Sequence, residues 1–365
     1  MTEQDHARLL LAIVQGRWDH AEALVARGGF QARTFVATCR ESDVAAWVHS
    51  RIDIEDRWGL VGDEVRAALT ENRDKVRRDN LLLLAQTEQA LDLLLGAGVV
   101  PVALKGLDTL HRFYDAYDQR TLDDVDLLVH RDQLKESLRV LESAGWQLPS
   151  EPARTHYIRS SHHLPMRSPG PVTVEFEIHW NLAQEMRYAI DDAGLIERSQ
   201  PLSIAGREIR RLEDHDLVGH LLVHHLSHYF DRRLKWLVDL GHVASQPGFR
   251  WEKVARRIES WRAGAACSIS LVHLHKLWPE LIGQRPLDLM PVAPWRSLVT
   301  WPLRSSHPLE LFRGTRNRKV QLFLAAVMLE RPLSLPGWWL HRRVRDARRG
   351  ENPLDPGSGA GPHRS

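Results

Sequence analysis

Apolar residues along this chain recur first at helical spacing, then at strand spacing, then at helical spacing again. Leu9, Leu10, Ile13 and Val14 open the first block, and residues up to about Asn72 read as short helices. A long helix is expected from about Asp74 to Leu95, stopped by Gly96-Ala97-Gly98, with Leu81, Leu84, Leu91 and Leu95 packing on a sheet. The strand Val99–Leu104, a helix near Leu107–Tyr114, the strand Leu122–Val129 and a helix Gln133–Ala144 ended by Gly145 follow. Arg154–Pro165 and Pro171–Trp180 predict a hairpin joined through Ser168-Pro169-Gly170, and Pro201–Arg211 predicts a further strand. The pattern then becomes helical over Asp214–Phe230, Leu234–Ala244, Trp251–Trp261 and Ala265–Leu277. Prolines interrupt 279–308, and an amphipathic stretch, Val320–Leu329, precedes Pro336-Gly337-Trp338-Trp339-Leu340. Strands alternating with helices in the middle predict an α/β-type core between helical segments.

Within that core, Leu122-Asp123-Asp124-Val125-Asp126-Leu127-Leu128-Val129 carries the most information. Strand side chains alternate faces, so Asp124 and Asp126 project one way while Val125, Leu127 and Val129 project the other. An unpaired buried charge costs on the order of 3–5 kcal/mol, and a hard divalent cation removes that cost. The run Val172-Thr173-Val174-Glu175-Phe176-Glu177-Ile178-His179-Trp180 alternates with period two, placing Glu175, Glu177 and His179 on one face. Set beside Asp124 and Asp126, it would supply a third carboxylate. Which of Glu175 and Glu177 does so depends on strand register. Three converging carboxylates suit a two-metal phosphoryl-transfer centre, with ions roughly 3.5–4 Å apart. Upstream, Val99–Leu104 ends in Lys105-Gly106 before a helix. Glycine allows close backbone approach, a helix N-terminus presents N–H groups to an anion, and Lys105 adds a point charge.

These residues resemble the nucleotidyltransferase superfamily of the polymerase-β type. Within it they are most similar to uncharacterised bacterial nucleotidyltransferases carrying a Lys-Gly…Arg-x-x-x-Asp-x-Asp-Leu-Leu-Val pattern. The match reads Leu104-Lys105-Gly106, Tyr114, Arg120 through Val129, and Glu177-Ile178-His179-Trp180, continuing to His224, His228, Leu234, Trp236 and Asp239. The resemblance implies an α+β fold, a nucleotidyltransferase-type mixed β-sheet core with flanking helices and a helical C-terminal domain. Its implied divisions are an N-terminal helical region 1–73, a catalytic domain 74–212, a helical domain 213–350 and a disordered tail 351–365. It also implies Mg²⁺ (or Mn²⁺) on Asp124, Asp126 and Glu177, with Glu175 the competing third acid. A nucleoside triphosphate is the implied co-substrate, with pyrophosphate as product. Lys105, Gly106, Arg120, His224 and Asp239 are the expected nucleotide-binding residues. The wider superfamily has Gly-Gly or Gly-Ser where this chain has Gly106-Leu107, which leaves phosphate binding to Lys105, backbone N–H groups and Arg120. A nucleotide-binding scaffold of the same fold without turnover is the alternative reading.

Composition narrows the partners. Among 365 residues, 49 basic and 47 acidic side chains nearly cancel, so no extended nucleic-acid track is expected. Two cysteines, Cys39 and Cys267, fit a reducing compartment, the N-terminus lacks a signal-peptide pattern, and no apolar run reaches the roughly 20 residues of a transmembrane segment. A cytoplasmic protein is expected. His220, His224 and His228 recur at i, i+4, i+8 on one helix face, where zinc, the cleft or plain structure are the competing uses. His162-His163 reads either as cleft lining or as exposed loop. The basic run from His341 to Arg349 reads as a solvated helix or as a contact with anionic lipid or nucleic acid. The acceptor is not named by any motif.

Overall fold

The computed structural model describes residues 1–299 except 185–186, 228–232 and 292. The Val320–Leu329 stretch, the Trp338-Trp339 pair, the basic run, the tail and candidate ligand His228 lie outside those residues. Five short helices begin the chain: α1 (Glu3–Val14), α2 (Trp18–Val25), α3 (Ala32–Glu41), α4 (Ala45–Ile54) and α5 (Trp58–Val61). They bury Leu9, Leu10, Ile13, Phe35, Val48 and Ile52, the apolar repeat legible in the sequence. Helix α6 (Asp63–Gly96) starts well before the expected Asp74, because Val65 and Leu69 extend its buried stripe backwards. That stripe continues through Asn80, Leu83, Leu84, Thr87 and Leu91. Leu81 is 48% exposed rather than packed on the sheet, since it stands about 100° round the helix from Asn80.

Six strands form one mixed sheet: β1 (Val102–Ala103), β2 (Val125–Leu128), β3 (His163–Arg167), β4 (Glu175–His179), β5 (Gln200–Ile204) and β6 (Arg207–Arg211). Their order is β3-β4-β2-β1-β6-β5. β2 runs parallel to β4 and antiparallel to β1, and β1 runs parallel to β6. The mixed α+β architecture is the expected fold class. Two local readings change. Residues Ala153–Ser160 form helix α9 instead of the first arm of a hairpin, and only His163–Arg167 pairs with β4. The single strand expected over Pro201–Arg211 is a hairpin, turning at Ala205 (φ 50°) and Gly206 (φ 78°). A two-residue loop with both φ values positive matches the twist of flanking antiparallel strands.

Along β2 and β4 the core face carries Val125, Leu127, Phe176 and Ile178, all buried. Phe176 meets Trp146 edge-on, ring centroids 4.6 Å apart, just beyond helix α8 (Leu134–Ser143). Helix α7 (Lys105–Phe113) follows β1, and α10 (Asp192–Arg198) precedes β5. The chain then becomes helical through α11 (Asp214–Ser227), α12 (Lys235–Ala244), α13 (Trp251–Ser260) and α14 (Gly264–Leu277). α11 lies close over α13's end: a Cβ on Gly219 would stand 2.6 Å from the Trp261 ring, so glycine sets that approach. No helix among the described residues is long and apolar enough to cross a membrane.

One buried polar side chain on α6 fixes the loop that leads into β2. Asn80 Nδ2 donates to the Tyr117 carbonyl at 2.5 Å and the Arg120 carbonyl at 2.7 Å, while its Oδ1 accepts from the Leu122 N–H at 3.1 Å. Asn80→Ala leaves three backbone groups without this partner, two of them in buried bonds. The expected loss is about 3 kcal/mol of unfolding free energy, read by urea denaturation; a loss under about 1 kcal/mol would contradict this role.

Candidate active site

The polar face of four adjacent strands supplies one cluster. In the parallel β2–β4 ladder Asp126 stands opposite Glu177, and in the antiparallel β3–β4 ladder His163 stands opposite His179. Residues directly opposite each other share a face, so Asp126, Glu177, His179 and His163 all point to the side opposite the core. β1 adds a cation from the other flank. The Leu104 N–H donates to the Asp126 carbonyl at 3.1 Å, continuing the ladder and bringing Lys105 alongside. Lys105 opens α7 in the left-handed region, φ 41°, a conformation that costs a non-glycine residue on the order of 1–3 kcal/mol. Its Nζ lies 3.0 Å from Asp126 Oδ2, a contact that offsets part of that cost.

Register also separates the two glutamates. Glu175, one repeat earlier on β4, is half-exposed and paired with Arg167 across the β3–β4 ladder at 2.7 Å. Glu177 is the one beside Asp126. His179 joins them: its Nε2 is 2.8 Å from Asp126 Oδ1 and 3.2 Å from Glu177 Oε2. His163 Nε2 reaches Glu177 Oε1 at 3.5 Å, and His162 Nε2 meets His163 Nδ1 at 3.2 Å. Two groups of side chains bring three potential ligand atoms within 4.8 Å of one another: Asp126, Glu177 and His179, and His162, His163 and His179.

The charges answer one another. Burial disfavours the Asp126 anion, yet Lys105 and His179 hold its carboxyl well below the usual carboxylate range. Burial likewise disfavours a charged His179, but the hydrogen bonds and charges of Asp126 and Glu177 outweigh it and raise the ring to about 9. Asp124 lacks such help. Burial, followed by the charge of Asp126, pushes it up to about 7 against the pull of Lys105. Burial holds His162 and His220 well below the ordinary imidazole value and lowers His163 to about 4.

These groups line a cavity of about 300 Å³ whose far wall comes from α11, α12 and the segments before them. His220, Val223, His224 and Trp236 form that wall, with Arg187, Arg233 and Lys235 adding positive charge. The His224 and Trp236 rings meet edge-on at 4.7 Å. His220 and His224 stand 6.1 Å apart by ring centroid, and neither belongs to a three-ligand group among the described residues. Lys235 Nζ bridges Asp123 at 2.8 Å and Asp43 at 2.9 Å, tying the N-terminal helices to the acidic loop. Lys235 and Arg233 hold the Asp123 carboxyl down to about 2 despite burial that opposes them.

Arg120 and Asp239 occupy different ground from the acids. The Arg120 guanidinium donates to Asp239 twice, Nε to Oδ1 at 2.9 Å and Nη2 to Oδ2 at 2.7 Å, and Tyr114 donates to the same carboxylate at 2.8 Å. Asp239 is fully buried and Arg120 nearly so, and each satisfies the other while Arg120 also lines the cavity. A Cβ on Gly106 would stand 2.6 Å from Arg120 Nη1 and 2.9 Å from Leu122, which is why the residue after Lys105 is glycine. Of the residues expected at the nucleotide, Lys105, Gly106, Arg120 and His224 line the cavity, with Arg120 paired to Asp239 and Gly106 making room for its side chain.

A family described as uncharacterised nucleotidyltransferase matches residues 28–279. The chain belongs to that family. No curated protein matches it. The stretch matched in this nucleotidyltransferase begins within the N-terminal helices, before Ala32, and ends after α14, so it takes in both walls of the cavity. Sequence reasoning named the acids and Lys105 but not Arg187, Arg233 or Lys235. Nothing in their spacing marks them, because they reach the cleft only through the packing of the segment before α10 and of the residues at the start of α12.

Asp239→Ala strands the Arg120 guanidinium in the interior of the nucleotidyltransferase and should cost about 3–5 kcal/mol, measured by chemical denaturation. A second expectation concerns pH in chelator. Asp124 favours its protonated form in the folded state, so its contribution is present at low pH and is lost as pH rises through about 7. The His179 pairing is complete below the ordinary imidazole value of 6.5 and is lost as pH rises through about 9. Stability should therefore fall across this range, and His179→Gln should flatten the upper part. An unchanged slope above pH 7 in that variant would show that His179 is not the group responsible.

Proposed function

We propose that this protein is a divalent-metal-dependent nucleotidyltransferase that moves a nucleoside monophosphate from a nucleoside triphosphate to an acceptor, releasing pyrophosphate. The observation that carries the reading is the β2–β4 register, which sets Glu177 opposite Asp126 on the cavity face. The donor set fits a hard cation: oxygen ligands on Asp124, Asp126 and Glu177, with Asp124 held protonated to about pH 7 by burial and Asp126's charge. Magnesium or manganese, when bound, supplies the positive charge that neutralises the phosphates and acidifies the attacking group. Asp124, Asp126 and Glu177 would hold that ion.

Lys105 is the group for a phosphate oxygen. Its ammonium is kept charged, burial notwithstanding, by Asp126, Asp124 and Glu177, and the first N–H groups of α7 lie beside it. Arg187, Arg233 and Lys235 on the opposite wall add the charge a triphosphate requires. Cations placed before the substrate arrives need no reorganisation as charge develops on the transferred phosphoryl group, the term that dominates such chemistry. Val223, Leu182 and Trp236 give the cavity an apolar wall for a base or acceptor to lie against. A carboxylate of the cluster serves as base toward the acceptor hydroxyl.

The test uses α-labelled nucleoside triphosphates with Mg²⁺ or Mn²⁺ and cell lysate as the source of acceptor. Wild-type protein should transfer label and release pyrophosphate. Asp124→Asn and Asp126→Asn should each lose about 10³-fold or more while circular dichroism stays that of the wild type. Full activity in both variants would defeat the reading. Calorimetric binding of a triphosphate without any release would favour the scaffold alternative.

A further inference from the structure

Helix α11 brings to the cavity a polar side chain that neither the acids nor the cations use. We propose that His220 hydrogen-bonds a ribose hydroxyl of the bound nucleotide and so distinguishes ribonucleoside from deoxyribonucleoside triphosphates. The inference rests on the nucleotidyltransferase reading and adds the sugar to what the cleft recognises.

Packing alone explains His220 poorly. It is 2% exposed, and the next three residues of its helix, Leu221, Leu222 and Val223, are buried apolar side chains. Its Nδ1 is out of solvent and has no hydrogen-bond partner among the described residues. A buried polar atom in that condition costs about 1–3 kcal/mol, which an apolar ring of similar size would avoid. His220 nevertheless lines the cavity, where a ligand can reach it. With nothing bonded to Nδ1, no partner fixes which ring nitrogen carries the proton, so the ring can donate or accept as a ligand requires.

Position points to the sugar. The charges that act on His220 are those of Lys105, His179 and Asp126, which sets it toward the phosphate end of the cleft. In the other direction its ring stands 6.1 Å from that of His224, one turn along the same helix face. His224 in turn meets Trp236 edge-on at 4.7 Å, and Trp236 belongs to the apolar wall proposed for a base. Along this wall His220 therefore falls between the group for a phosphate oxygen and the surface for a base. Ribose is the part of a nucleotide that joins those two.

Charge state favours a hydroxyl over a phosphate. Burial, then the positive charges of Lys105 and His179, holds the ring well below the ordinary imidazole value against the pull of Asp126. A neutral imidazole brings no charge to a phosphate, and Lys105, Arg187, Arg233 and Lys235 already do so. What it offers is one donor and one acceptor, the complement of a hydroxyl. Metal ligation does not fit, since no group of three potential ligands among the described residues includes His220.

The test is calorimetric binding by the full chain with Mg²⁺ and no acceptor, with label transfer measured on the same proteins. The common ribonucleoside triphosphates are titrated first, and the tightest is compared with its 2′-deoxy and 3′-deoxy forms. Wild-type protein should bind at least one deoxy form about tenfold more weakly. His220→Phe should weaken the ribonucleotide about tenfold and leave that deoxy form within about twofold, erasing the preference. Continued binding of the deoxy form reports that the variant is folded. Should His220→Phe not fold, the shorter His220→Asn should erase the preference in the same way. Equal binding of ribo and deoxy forms by the wild type overturns the inference, as does a preference that survives in a folded variant. An equal loss of both forms marks a structural role and overturns it too. Unchanged binding with slower transfer would give the ring to the acceptor instead of the ribose. A wild type that binds no triphosphate overturns the functional reading itself, whereas each preceding failure leaves that reading standing.

Discussion

Asp126 sits nearly out of solvent with a second carboxylate, Glu177, opposite it on the next strand, and Asp124 just before it. Like charges brought together in a poorly hydrated place repel, and each also loses water. Much else in this protein answers that one electrostatic debt. Lys105 adopts a left-handed backbone to reach Asp126, and His179 bridges Asp126 to Glu177. Even so, burial first and the charge of Asp126 second push the Asp124 carboxyl up to about 7. An added cation beside it would favour its ionised form.

Rigidity around the cluster comes from buried pairings beside the acids. Asn80 ties the loop before β2 to α6, and Arg120, Asp239 and Tyr114 lock that loop to α12 and the end of α7. Lys235 does the same between Asp123 and the N-terminal helices through Asp43. Buried pairs of this kind add little net stability over apolar substitutes, but losing one partner is costly. Their effect is to hold the acidic loop in one place, as the proposed phosphoryl transfer demands.

The cleft is asymmetric in charge. Asp126, Glu177, His163 and His179 come from the sheet, while Arg187, Arg233 and Lys235 come from segments outside it. A ligand with an anionic chain and a face able to lie against Trp236, Leu182 and Val223 matches both walls, which is the chemistry of a nucleoside triphosphate. Family membership and geometry thus point the same way for the donor. The acceptor has no such marker among these residues.

Local sequence determined the strand and helix character of most elements, because alternation and helical periodicity act over a few residues. It placed Asp124 and Asp126 on one strand face and Lys105-Gly106 at a strand-to-helix junction for the same reason. It misjudged 153–160 and the hairpin at 200–211, where a short turn or helix competes closely with an extended run. What periodicity cannot carry is register between distant strands. Only the folded sheet sets Glu177 rather than Glu175 beside Asp126, since a two-residue slip would exchange them without altering either strand. Only packing across 119 residues gives Arg120 to Asp239, and only α12 brings Lys235 to the acidic loop. Those outcomes depend on which long-range contacts satisfy buried charge, and no local pattern encodes them.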